Sequence, residues 1–337
     1  MLWGNPQLLV NNIQKAPPQN DEEQGHSIDA IFIPFKDRIG NVKGLLHELR
    51  WFHGNIHLMP SSQTDVAEAL KLKGAAVDII LPQDSELQAL RARQRSSHHA
   101  FTHHNGFWDL PQKRNHALVL STRARYRNIL LLDDDIRGVS EQKFKQASRL
   151  LKEYSVTGCF VDDFPDTSVF GHLLRAAGED VRPFLSGSFL FIKIGNTPSF
   201  FPDIYDEDWL FMIPHVINRS ISSFGSIMQL PHNPFDSPLR ASFQEFGDTI
   251  VDGLFQMVAS NTFSNRYQTE CWSDVINARR EVLMTLAQKL PEQIHQEAIS
   301  AALTVSRSIT ARDCVDFIIR WEDDVGMWNE FIEETIK

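Results

Sequence analysis

In Asn128-Ile-Leu-Leu-Leu-Asp-Asp-Asp-Ile-Arg137 a short apolar run, Ile129 to Leu132, ends abruptly in three carboxylates. The run is too short for a membrane span. It suits the buried strand of an α/β sheet, which delivers Asp133, Asp134 and Asp135 to the strand's carboxyl end, where open α/β sheets bind ligands. Side chains alternate along an extended chain, so Asp133 and Asp135 are expected on one side and Asp134 on the other. Two like-facing carboxylates call for a cation, and a hard divalent ion such as Mg2+ or Mn2+ takes oxygens from one or two carboxylates plus substrate phosphates. The plain alternative is a solvated acidic turn after a core strand.

Upstream, Ile28 to Phe35 reads as a first buried strand, and Ile39, Val42, Leu45, Leu46 and Leu49 follow at helical spacing. Asn55 to Met59 reads as a second strand, Pro60 to Asp65 as a loop in which Thr64 or Asp65 caps the helix Val66 to Lys73, and Val77 to Leu81 as a third strand. Strands alternating with helices at this interval imply parallel crossovers and a sheet covered on both faces. Gln83 to Asn105 is polar and holds His98, His99, His103 and His104 without a companion carboxylate or cysteine in a zinc pattern, so it reads as a mobile loop. Trp108 to Leu120 leads into a helix that carries Lys113, Arg114 and Asn115 near its start, where cations and a helix amino terminus both suit phosphate oxygens.

Downstream, Phe144 to Lys152 reads as a helix, and Ser155 to Val161 and Leu185 to Ile194 as strands. In Ser186-Gly187-Ser188 the glycine serves either close approach to a ligand or a tight turn. A second acidic cluster, Asp206-Glu207-Asp208, sits among aromatics, and one cluster can hold metal while the other works as base or acceptor clamp. From about Asp236 the strand signals stop. Phe243 to Ser260, Glu270 to Lys289, Pro291 to Ser306 and Ala311 to Thr335 read as amphipathic helices. The expected organisation is an amino-terminal extension over 1–27, an α/β domain over 28–237 and a helical region over 238–337. The last is expected beside the acceptor end of the sheet, as a pocket wall, as a plain cap, or as a self-association surface through Trp321 and Trp328.

The 337 residues suffice for a sizeable core, and 42% hydrophobic with 23% charged residues is a globular composition. A formal charge of −10 argues against general nucleic-acid binding. Cys159, Cys271 and Cys314 are too widely spaced for a zinc pattern or a disulfide framework, which suggests a reducing compartment. Met1 to Asn20 lacks a signal peptide's apolar centre and no apolar stretch reaches membrane-span length, so a cytoplasmic protein with no membrane span is expected.

The order of these features resembles the GT-A class of nucleotide-sugar glycosyltransferases, broadly the family-two type, with echoes of galactosyltransferases and mannosylglycerate-type synthases. Ile31-Phe32-Ile33-Pro34-Phe35-Lys36-Asp37-Arg38 resembles the first strand and nucleotide-binding turn, and Leu131 to Ile136 the Asp-x-Asp motif. Pro60 to Asp65 keeps Thr64 and Asp65 of the following motif but lacks its acidic pair. Leu110 to Ala117, with Lys113, Arg114 and Asn115, is similar to the segment facing the donor diphosphate, and Ser186 to Leu190, around Gly187, to the strand lining the acceptor side. Tyr205 to Asp208 resembles the Glu-Asp motif that opens the acceptor-side helix, and Gln229 to Asn233 places His232 where several such families supply a third metal ligand.

The resemblance implies an α/β GT-A fold with a Rossmann-like mixed sheet, and a metal-dependent hexosyl transfer from a nucleotide-diphosphate sugar to an acceptor hydroxyl. Mn2+ or Mg2+ would sit on Asp135, Asp133 and His232, with Asp133 and Asp134 also toward the donor. Pro34, Lys36, Asp37, Arg38, Asp65, Lys113, Arg114, Asn115 and Gly187 would line the donor site, and Asp208 or Glu207 would take the acceptor proton in an inverting reaction. A nucleotidyltransferase on a similar sheet would show a glycine-rich loop after the first strand, and no glycine precedes Gly40 there. A catalytically degenerate GT-A binding protein is the third reading.

Overall fold

The computed structural model describes residues 14–15, 27–74, 76–81, 84–102, 109–161, 168–179, 181, 185–195 and 198–336. In chain order the elements are β1 (Gln14–Lys15), β2 (Ala30–Phe35), α1 (Ile39–Glu48), β3 (Asn55–Pro60), α2 (Gln63–Leu70), β4 (Val77–Ile79), α3 (Ser85–Arg93) and α4 (Leu110–Arg123). Next come β5 (Asn128–Leu132), β6 (Ile136–Arg137), α5 (Glu141–Leu150), β7 (Val156–Val161), α6 (Val169–Ala176), β8 (Leu185–Lys193), α7 (Glu207–Ile217) and β9 (Ile221–Gln229). The chain ends in α8 (Pro238–Ala259), α9 (Thr269–Lys289), α10 (Gln293–Ser308) and α11 (Ala311–Ile336).

The sheet runs β1-β9-β7-β8-β5-β2-β3-β4, with β6 pairing β9 off this path. Its pairs are parallel except where β8 lies antiparallel between β5 and β7, and where β6 meets β9. The α/β class, the mixed sheet and the carboxyl-terminal helices expected from the sequence are all present. The antiparallel strand matters for the site, because it sets the start of β8 beside the end of β5: Leu132 pairs with Phe189, and the Asp133 N–H donates to the Ser188 carbonyl at 2.9 Å.

Both faces of the sheet are covered, which is why its central strands read as unbroken apolar runs. Alternate residues nonetheless serve different cores. Ile31, Ile33, Leu130, Leu132, Phe189 and Phe191 pack toward α1, α2 and α5, whereas Ala30, Phe32, Ile129, Leu131, Leu190 and Ile192 pack with α4 and α7. Phe246, Leu254, Trp272, Phe317, Trp321 and Trp328 of the carboxyl-terminal helices belong to the second core. The helical region therefore shares its hydrophobic interior with the sheet, and its exterior role is narrower than the sequence suggested. Trp321 and Trp328 are 3% and 0% exposed, so neither offers a self-association surface.

Several elements differ from expectation. The polar stretch after β4 is not a loop throughout, since Ser85–Arg93 is helical with Asp84 accepting from the Leu87 N–H as cap, and Ser96–His98 forms a short 3-10 turn. His99 is buried and stacks on Phe246 at 5.1 Å, while His103 and His104 lie outside the described residues. Ser62, rather than Thr64 or Asp65, caps α2, in a reciprocal box with Asp65. The edge strands β1 and β6 and the serine-rich strand β9 had no apolar alternation strong enough to announce them, and α6 was missed although Val169, Phe170, Leu173 and Leu174 keep helical spacing. Among the described residues no helix is long and apolar enough to cross a membrane.

In α7, His215 is buried, with Nδ1 3.0 Å from the Ser220 hydroxyl and Nε2 without a hydrogen-bond partner. Burial lowers its pKa to about 4. The folded state then binds fewer protons here than the unfolded chain between histidine's ordinary value of 6.5 and about 4. Its contribution is complete above pH 6.5 and is lost as pH falls to 4, a difference of about 3 kcal/mol. His215→Gln is expected to remove that part of the acid destabilisation. Urea unfolding of both proteins at pH 7 and pH 4 measures it, and parallel pH profiles would refute it.

Candidate functional site

β5 stops at Leu132, and Asp133 to Asp135 form a turn in which the Ile136 N–H donates to the Asp133 carbonyl at 3.2 Å. The alternation of an extended strand therefore does not govern these side chains, and the expected partition is corrected. Asp134 and Asp135 both face Arg38, at 3.4 Å from Nε and 2.9 Å from Nη1, while Asp133 turns to Arg114 Nη2 at 3.2 Å. Burial lifts the Asp133 carboxyl to about 6 against the pull of Arg114, and that of Asp134 to about 7 against the pull of Arg38. Oδ1 of Asp135 is buried and accepts no hydrogen bond, and the buried Oδ2 of Asp134 has the 3.4 Å ion pair with Arg38 Nε but no hydrogen bond. The turn thus holds more acceptor capacity than the protein's own donors satisfy.

Arg114 joins this turn to the second acidic cluster. Its Nη1 donates to Glu207 Oε1 at 2.8 Å while Nη2 meets both oxygens of Asp133 at 3.2 and 3.3 Å. The guanidinium crosses Gly187 so closely that a Cβ there would stand 2.5 Å from Nη1. The glycine is needed for an arginine's approach, not for a tight turn. Asp208 clamps the same residue, its Oδ2 accepting from the Gly187 N–H at 2.5 Å while Oδ1 accepts from the Trp209 N–H at 2.9 Å. Glu207 and Asp208 open α7 after Asp206, which takes a left-handed backbone at φ 62°. Burial raises the Glu207 carboxyl above its ordinary range, with Arg114 opposing.

Other residues expected at the donor site have different work. Lys113 is 2% exposed, and its ammonium spends its three donors on the Phe35 carbonyl, the Ser61 hydroxyl and Asp109. It braces the end of β2 and is not free for phosphate. Asn115 is bidentate to the Phe201 backbone, with both bonds at 2.8 Å. Asp65 accepts from the Asp37 N–H at 2.9 Å and from Ser62, which fixes the left-handed turn at Asp37, φ 56°. Pro34 is buried within β2, whereas Lys36 and Asp37 are exposed beyond its end. Gly187, Arg38, Arg114, Asp133, Asp134, Asp135, Glu207 and Asp208 are the residues the fold brings together.

His232 follows β9, whose pairing with β6 and the 2.8 Å bond from the Leu230 N–H to the Asp135 carbonyl bring it toward the turn. Burial lowers its pKa, and Asp135 acts against this. Its ring lies 6.1 Å from that of His172. Among the described residues no group of three or more His, Cys, Asp or Glu side chains could hold a metal ion. Asp133, Asp135 and His232 are thus not gathered into a closed ligand set. The orphaned oxygens of Asp134 and Asp135 and the hard carboxylate character of the turn do fit a divalent cation that draws its remaining ligands from a substrate.

Behind Asp206 lies a network the sequence reading missed. Asp248 of α8 hydrogen-bonds Asp206, whose carboxyl is raised well above its ordinary value by burial and by Asp248. Arg279 of α9 is fully buried and binds Glu245 at 2.9 Å, Asp248 at 2.6 Å and Asp252 at 2.7 Å. The signal was present, because Glu245, Asp248 and Asp252 share one face of an otherwise apolar helix.

No protein-family model matches the chain, and no curated protein matches it. Among solved structures, a protein described as a candidate nucleotide-diphospho-sugar transferase from Desulfovibrio desulfuricans G20 is similar at 13% identity and TM-score 0.36, over 78% of this chain and 99% of that one. Mouse xyloside xylosyltransferase 1 in its apo form is similar at 13% identity and TM-score 0.29, over 49% of this chain and 67% of that one. Both likenesses are too distant to transfer an activity.

Gly187→Ala is expected to push Arg114 off the line between Asp133 and Glu207. The overpacking should cost about 1–3 kcal/mol in urea unfolding at pH 7. Unchanged stability would mean that the guanidinium has room to move.

Proposed function

We propose that the protein is a metal-dependent glycosyltransferase of the GT-A kind, moving a sugar from a nucleotide-diphosphate donor to an acceptor hydroxyl. The observation that carries this reading is the union, through Arg114, of a strand-end acidic turn with orphaned oxygens and a helix-opening acidic pair some seventy residues away. Loss of a nucleoside diphosphate from an anomeric carbon builds negative charge on the leaving group. Mn2+ or Mg2+, held by Asp135 with Asp134 or Asp133, would neutralise that charge as a Lewis acid. His232, two residues after the Leu230 that bonds the Asp135 carbonyl, would be the third protein ligand.

The chain's own residues divide the remaining tasks. Arg38 is half exposed and already pairs with the turn, so its guanidinium can swing to the diphosphate when a cation takes its carboxylates. Lys36 and Asp37 stand at the same strand end to meet the nucleoside. Arg114 stays fixed, its guanidinium holding Glu207 beside Asp133. Asp208 is the candidate base for the acceptor hydroxyl, since Glu207 is committed to Arg114.

A second reading is favoured by the contacts of Arg38 with Asp134 and Asp135 and by the open ligand set. In it the chain is a degenerate relative that binds a nucleotide without metal. Titration calorimetry with nucleoside diphosphates, with and without Mn2+, separates the two. Metal-dependent binding is expected, whereas equal binding in a chelator supports the degenerate form.

Asp135→Ala is expected to abolish metal-dependent binding and leave the unfolding transition almost unchanged, because a strand-end carboxylate opens no core cavity. Chelator-insensitive transfer by the unsubstituted protein would remove the metal assignment. Asp208→Asn is expected to lower kcat by roughly 100-fold or more with little change in donor affinity. Equal losses in both would take Asp208 out of the base role.

A further inference from the structure

At the end of the sheet opposite the acidic turn, the segments leading into β2, β3 and β5 surround a cleft of about 900 Å³, closed on one side by α5. That size suits a small-molecule ligand. Trp51, Phe52 and Phe144 line it, with the Trp51 and Phe144 rings 4.8 Å apart edge to face and Phe52 at 5.5 Å from Phe144. Arg125, Arg127, Lys145 and Arg149 line it as well.

These cations outnumber the carboxylates beside them. Glu141 pairs with Lys145 at 2.7 Å, and Asp29 Oδ2 is occupied by the backbone N–H groups of Arg127 and Asn128 at 2.6 and 3.1 Å. Among the described residues Arg125, Arg127 and Arg149 have no carboxylate partner, and the Nε of Arg149 is buried with no acceptor. Three such guanidinium groups around one cleft repel each other in a chain whose formal charge is −10. Arg149 also lies in the last turn of α5, where a cation suits the helix carboxyl end, whereas Arg125 and Arg127 are exposed on the loop before β5. Guanidinium forks match phosphate oxygens in geometry and charge, and the partly exposed Trp51 and Phe52, backed by the buried Phe144, offer aromatic surface to a planar or ring-shaped body.

We propose that this cleft binds a phosphorylated small molecule whose phosphate meets Arg125, Arg127 and Arg149 while its ring rests on the partly exposed Trp51 and Phe52. A nucleoside monophosphate and a sugar phosphate share that chemistry. The site is distinct from the acidic turn and independent of its function. The strand β5 joins the two, with Arg127 before its first residue and Asp133 after its last, about 17 Å of extended chain.

Titration calorimetry on the full chain in metal-free buffer tests this, with AMP and ribose 5-phosphate as probes. Saturable binding is expected, weakening as NaCl rises, and falling at least tenfold in Arg149→Ala and in the exposed Arg127→Ala. Both variants should keep the unfolding transition and the metal-dependent nucleoside diphosphate binding of the parent. AMP binding tenfold tighter than ribose 5-phosphate identifies a nucleotide site, and equal affinities identify a sugar-phosphate site. Binding of neither probe overturns the proposal. So does binding that survives both arginine substitutions but is lost in Asp135→Ala, because the phosphate would then sit at the acidic turn.

Discussion

Arg114 binds Asp133 at the end of β5 and Glu207 at the start of α7, and the geometry of the candidate site depends on that one guanidinium. Asp133 and Glu207 are largely withdrawn from water, and burial disfavours their charged forms. Without a cation between them the two acidic clusters would repel across a medium of low effective dielectric. Removing one partner of a buried pair costs about 3–5 kcal/mol, because the remaining charge is left uncompensated. The approach that makes this possible is unusually close, and it requires both the missing side chain of Gly187 and the antiparallel course of β8. A parallel strand at that position would present its carboxyl end instead.

The two arginines of the site differ in mobility, and the difference divides their roles. Arg114 has a side chain 4% exposed with its contacts fixed by packing, whereas that of Arg38 is 51% exposed and rests on Asp134 and Asp135 from outside. A half-exposed ion pair contributes little to stability. Arg38 can therefore leave its carboxylates at small cost when another cation arrives, while Arg114 cannot. The raised carboxyls of Asp133 and Asp134 and the orphaned oxygens beside them describe a turn under-supplied with donors. That under-supply is the observation on which the proposed cation site rests.

Much of this was legible from residue order. The apolar run before Asp133 fixed a buried strand, and the strand–helix rhythm from Ile28 to Leu81 gave the parallel half of the sheet. Individual side-chain roles were less legible, for a physical reason. Polar residues next to a ligand site and polar residues that brace it have the same composition. Lys113 and Asn115 read as phosphate donors and turn out to hold the Phe35, Ser61 and Phe201 backbones. Asp65 read as a donor contact and instead pins Asp37. The partition of Asp133 to Asp135 was misjudged because strand periodicity was carried three residues beyond the strand, through a turn. The strand β9 escaped notice because serines replace its apolar residues on one side, and serine carries no periodic signal.

The carboxyl-terminal helices are tied to the site by electrostatics as well as by packing. Gly247 of α8 lies against the Tyr205 carbonyl, and the neighbouring Asp248 shares a hydrogen bond with Asp206. Asp206 is the left-handed residue that starts α7, so its contact with α8 helps fix where Glu207 and Asp208 begin. Arg279 then neutralises part of the charge that Glu245, Asp248 and Asp252 bring into the interior, and burial leaves the Asp252 carboxyl raised to about 7. One arginine facing three carboxylates satisfies them only if some retain protons. The chain accepts that cost at the junction of α7, α8 and α9, because a rigid α7 amino terminus holds Asp208 on Gly187 and Glu207 on Arg114. The acidic pair is thus positioned from behind by α8 and α9.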